Sequence, residues 1–149
     1  MLPLLAASCV TPAAQAPQPV APISLRDSDE PLGRAAEPRV ATFVVERRPD
    51  GAVGGAAAMM HARLAVVGNC VLVRGERGEE VVPVFSAGTA SWDARARQLR
   101  YLNRSYAIGD IVPIGGGGVN PAMIPTILQS PRIDVPSDCP TSRLWFTGG

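Results

Sequence analysis

From His61 to Thr147 the chain is cut by turn signals about every eight to twelve residues, the spacing of a small all-β barrel or sandwich. Residues 61–67 (HARLAVV) alternate, placing Ala62, Leu64 and Val66 on one face. Residues 70–73 (CVLV) form a compact apolar run. The turn Gly75-Glu76-Arg77-Gly78 then leads into EVVPVF at 80–85, which predicts a hairpin. Pro83 cannot donate to a ladder, so that strand is expected at an edge or a bulge. Residues 99–102 (LRYL) and 105–108 (SYAI) flank Asn103-Arg104, a second hairpin signal. IVPI at 111–114 and LWFT at 144–147 complete the strands. Residues 120–138 carry Pro121, Pro125, Pro131 and Pro136, and read as an irregular loop over the surface.

The β domain is thus expected over residues 58–149, as a small barrel for which an OB-like form is one candidate. Residues 10–57 have the composition of a disordered linker, dominated at first by Ala, Pro and Gln. Within it TFVVE at 42–46 can add a short edge strand. The turn signal Arg47-Arg48-Pro49-Asp50-Gly51 follows, and residues 54–60 read as small and flexible.

The chain has three cysteines. Cys9 ends the run Leu4-Leu5-Ala6-Ala7-Ser8-Cys9, the local chemistry of a bacterial lipoprotein processing site. Residues 1–9 are therefore read as a signal-like segment, clipped because its basic start is missing, with Cys9 as the lipidation site. Setting Cys9 aside leaves Cys70 and Cys139, an even number in an oxidising compartment, and so a candidate disulfide. In the chain-entropy model that closure is worth roughly 4 kcal/mol. The competing reading is a cytosolic β binding domain with free thiols. The separation of the two cysteines excludes C-x-x-C redox chemistry.

Charge narrows the partners. All 14 basic residues are Arg, they are scattered among 13 acids, and the net charge is +1. No clustered basic face of the kind nucleic acid requires is visible. No apolar run approaches the ~20 residues that span a bilayer, so membrane attachment is expected through lipid.

Candidate chemistry is sparse. The run Gly115 to Gly118 lacks the Lys and Ser/Thr of a phosphate loop and reads as a φ-permissive exit from a strand. His61 is the single histidine and has no G-x-S-x-G partner. One His and two spaced cysteines do not make a zinc site, and no metal or cofactor is expected. Asp93 and Asp110 could serve as acid and base in an envelope hydrolase, if one pocket held them with Asn103 or Tyr106. Each also suits a turn cap. Among Phe85, Trp92, Tyr101, Tyr106 and Trp145, a domain this small needs most rings inside. Trp92, Tyr101 and Tyr106 are the candidates for a face that binds peptide or glycan.

The order G-N-C-V-L at 68–72, P-V-F at 83–85, Gly88-Thr89, Trp92-Asp93, G-D-I-V at 109–112, Gly115-Gly116-Gly117, Cys139-Pro140 and Trp145 resembles small exported bacterial lipoprotein domains of unassigned function. The resemblance spans about residues 62–148. It implies a compact β domain with Cys70 and Cys139 bonded, and it implies no activity. By resemblance to known lipoproteins, Val10 after the cysteine, rather than Asp, favours the outer membrane over inner-membrane retention. The expectation is an exported, lipid-anchored protein of the periplasm or outer membrane. Its role would be non-catalytic: structural, or binding an envelope protein, peptide or glycan.

Overall fold

The computed structural model describes residues 36–45 and 58–148. Cys9, the signal-like segment and most of the linker lie outside the described residues. The elements in chain order are β1 (Ala41–Phe43), β2 (Ala58–Val67), β3 (Cys70–Arg74), β4 (Glu80–Ser86), β5 (Ala90–Asp93), β6 (Gln98–Tyr101), β7 (Arg104–Ala107) and β8 (Ile111–Gly118). A single 3-10 turn (Pro121–Met123), α1 (Ile124–Ile127), β9 (Ile133–Asp134) and β10 (Leu144–Thr147) follow.

Five strands close a barrel in the order β2-β3-β4-β10-β8 and back to β2. All neighbours are antiparallel except β4 and β10, which run parallel with Leu144 opposite Val82. That connectivity is the one of an OB barrel. The long strand β2 makes the closure possible. Its first half, Ala58 to Arg63, pairs with β8, and its second half, Arg63 to Val67, pairs with β3. The segment expected to be flexible up to Met60 is therefore strand from Ala58 onward, because β8 supplies it with a ladder.

Alternation along the strands feeds two cores. Ala62, Leu64, Val71, Val73, Val81, Phe85, Val112 and Ile114 point into the barrel. The meander β5-β6-β7 packs Leu99 and Tyr101 into the same cluster, with the rings of Tyr101 and Phe85 5.0 Å apart. On the other side of the same strands, Cys70, Leu72, Val82, Val84 and Leu144 form a second cluster with Ala41, Ile124 and Cys139. Leu128, Ile133 and Val135 pack on it. Runs such as CVLV and VVPVF are continuous because β3 and β4 are buried on both faces.

The Pro-broken stretch after Asn120 is more than a surface loop. Its prolines prevent a long helix, but the apolar residues between them cover the outer wall of β3, β4 and β10 as a strap. A disulfide joins buried Cys70, the first residue of β3, to Cys139 near the strap's end, with Cα atoms 5.0 Å apart and 69 residues of separation. Each turn of the strap is locally closed: Asn120 caps the 3-10 turn by accepting from the Ala122 N–H at 3.0 Å.

Three further expectations are corrected. Pro83 sits inside the barrel wall rather than at an edge. On one side of β4, β3 pairs only at Glu80 and Val81, while β1 begins at Val84. Pro83 falls at this handover, where no donor is required. Strand β1 is not an edge either, since it lies between β4 and β9. The glycine run is no exit loop: Gly115 to Gly118 are the second half of β8, paired with β2 and β10. Gly116 has φ +148, and a Cβ there would meet the Phe146 carbonyl. Glycine is needed because β10 crosses too closely for any side chain.

Candidate functional site

The two carboxylates considered for catalysis are each engaged by their own turn. Asp93 ends β5, and its carboxylate accepts from the Ala96 N–H at 2.9 Å and from Arg100 at 2.8 Å. The Ala96 N–H, followed by the Arg100 guanidinium, holds its pKa below the ordinary 3.8. Asp110 accepts from the Ala107 N–H at 2.8 Å, closing the turn between β7 and β8. His61 is exposed on β2, opposite Pro113. Among the described residues no group of His, Cys, Asp and Glu could hold a metal ion.

The aromatic candidates are divided by the pleat. Trp92, Leu99 and Tyr106 stand opposite one another across β5, β6 and β7. Leu99 is fully buried, and Trp92 and Tyr106 pack half-buried against the barrel cluster. Tyr101 is only 3% exposed. Burial, followed by the neighbouring Tyr106, pushes its hydroxyl above the ordinary 10.0. Tyr101 therefore belongs to the barrel core, and its edge also borders a groove at the rim of the meander. A compact domain with few rings uses them to plug the barrel.

Trp92 does line an open groove of about 400 Å³ with Glu37, Pro38, Val66, Arg97 and Ile108. Its indole N–H is buried and has no partner. A second groove of about 400 Å³ lies at the other end of the meander. The turn after β4 (Gly88, Thr89) and the β6–β7 turn (Leu102, Asn103) border it, with Ala90, Ser91, Arg100, Tyr101, Arg104 and Ser105 between them. The register puts Ser91, Arg100 and Ser105 in one row across the three strands. By contrast, the outer wall of β3 and β4, near the surface that OB barrels use for oligonucleotides and oligosaccharides, is buried under this chain's own strap.

Reading the sequence missed the polar groove because the turn is Leu102-Asn103, one residue earlier than Asn103-Arg104. A one-residue shift changes every cross-strand pair. With the turn placed correctly, Ser105 faces Arg100 rather than Leu102. The signal available was Asn103, a residue type that tolerates the left-handed backbone of a two-residue hairpin.

No protein-family model matches the chain, and neither does any curated protein or solved structure.

Proposed function

We propose that this is an exported, lipid-tethered cell-envelope protein whose barrel has a non-catalytic role, structural or in binding. The observation that carries the reading is the disulfide between Cys70 and Cys139, both buried. Such a bond persists in oxidising compartments and is rare where thiols are kept reduced. Export then gives Cys9 its sense as the lipidated first residue of the mature chain. The commitment of Asp93 and Asp110 to separate turns supports binding or structure over hydrolysis. The grooves on the meander are among the surfaces left for an envelope protein, peptide or glycan.

The test is the intact mass of the protein purified from its native membrane fraction, alkylated with and without prior reduction. A chain beginning at Cys9, carrying diacyl or triacyl lipid and alkylated at Cys70 and Cys139 only after reduction, is the expected result. An unlipidated Cys9 with three freely alkylated thiols would return the protein to the cytosol and end the proposal.

A further inference from the structure

Strand β2 is covered unevenly along its length. β8 pairs with it from Ala58 to Arg63, whereas β3 pairs with it only from Arg63 to Val67. Among the described residues, Ala58 to Ala62 therefore has a strand on one side alone. Alternate residues of a strand turn their main-chain groups to opposite edges. Leu64 turns its groups to the β8 side: its N–H donates to the Asp110 carbonyl, and its carbonyl accepts from the Gly109 N–H, both at 2.8 Å. By the same parity Ala62, Met60 and Ala58 face β8, and His61 and Met59 face the open side. Pro113 fits this parity, since it stands opposite His61 and has no N–H to offer. The N–H and carbonyl groups of Met59 and His61 are thus unpaired among the described residues.

The sequence of this edge carries none of the usual guards. Open strands are protected by charged side chains or proline. Residues 58–62 (AMMHA) contain no Asp, Glu, Lys, Arg or Pro. Met59 is 61% exposed, and the residue opposite it is Gly115, which has no side chain to cover it. A groove of about 370 Å³ opens beside His61 where β3 ends, bordered by Arg63, Arg74, Gly75 and Ile111.

We infer that the open edge of β2 binds an extended peptide segment as an added antiparallel strand, in line with β3. The peptide residues opposite Met59 and His61 each exchange two hydrogen bonds with them. Their side chains fall on the outer face, one against Met59 and the other beside the groove at His61, so an apolar residue at the first position is favoured. A glycan does not offer donors and acceptors paired at strand spacing. Because β3 lies on this same side of β2, a second copy paired here would bring its own β3 end-on against Ala58, and a peptide brings no flanking strand. The inference rests on the binding role proposed above and narrows it to peptide; it is independent of lipidation, which intact mass tests separately.

The full-length oxidised chain would be titrated with acetyl-Thr-Val-Thr-Val-Thr-amide, following amide NMR shifts and hydrogen exchange. Fast exchange at Met59 and His61 in the free chain is expected, with saturable shifts and protection at both on adding peptide. The same peptide N-methylated at both valines keeps the side chains, loses the donors and should produce no saturable shift. His61→Pro removes only a donor that faces the open edge, and should weaken binding about tenfold, the upper end for one neutral hydrogen bond. Ser91→Ala, on the meander, should leave binding unchanged. Met59 and His61 amides as protected in the free chain as that of Leu64 would show the edge already covered and overturn the inference. So would equal shifts from the N-methylated peptide, equal weakening by both variants, or shifts that follow protein concentration without peptide, which would assign the edge to a second copy.

Discussion

Barrel closure rests on one glycine, and Gly116→Ala is the most informative perturbation. Gly116 faces Thr147 where β8 meets β10, and Ala58 where it meets β2. A Cβ added there would overlap the Phe146 carbonyl oxygen and lie 2.9 Å from both the Phe146 carbonyl carbon and the Thr147 Cα. Carbon atoms in contact prefer about 3.5–4.0 Å, so β10 would have to retreat by roughly 1 Å. The backbone at φ +148 adds about 1–3 kcal/mol for a residue with a side chain. Forcing an extra methyl into packed surroundings adds about 1–3 kcal/mol more. The sum, about 2–6 kcal/mol, is comparable with the whole stability of a small domain. The control is the adjacent Gly115→Ala. Its Cβ would rest 3.8 Å from the Met59 Cε, an ordinary contact with a flexible side chain. It should change stability by less than about 1 kcal/mol. Urea unfolding of the two variants beside the wild type reads the difference, and amide exchange along β8 and β10 locates it. If Gly116→Ala unfolds at the same midpoint as Gly115→Ala, the close crossing of β10 over β8 is wrong.

Two further predictions concern the staple and the barrel plug. Cys70→Ala with Cys139→Ala should cost about 4 kcal/mol in the loop-entropy model, with amide protection lost first in α1 and β9; a loss under about 1 kcal/mol would contradict the strap's dependence on the bond. Tyr101 has a raised pKa, so its neutral form is the one the fold favours. Its contribution is full below about pH 10 and is lost as pH rises through the higher folded value. Stability measured against pH should thus fall more steeply above about pH 10 in the wild type than in Tyr101→Phe; equal slopes would show that the hydroxyl is solvated.

The strap also bears on how this barrel can bind anything. Ile124, Cys139 and their neighbours turn the outer wall of β3, β4 and β10 into core. A ligand is left with the meander, whose register aligns Ser91, Arg100 and Ser105, and with the exposed wall of β2 and β8. The sheet that plugs the barrel on its apolar face is therefore the one that presents donors on its polar face.

The local sequence determined most of the elements. Alternation in HARLAVV, the Gly75 to Gly78 turn and the short runs IVPI and LWFT each specify a strand or hairpin through side-chain period and backbone preference, which act within a few residues. The pair Cys70 and Cys139 was likewise legible, because setting Cys9 aside leaves two cysteines and a single possible pairing. What the tertiary structure decided depends on partners distant in sequence. Pro83 is tolerated in a central strand because β3 leaves β4 where β1 arrives. Gly116 is strand rather than loop because β10 crosses it. The Pro-rich stretch becomes a second core because β3 and β4 offer it an apolar wall, and burial is a relation between surfaces that no single segment encodes. The polar groove depended on a hairpin register, where one residue decides which side chains share a face.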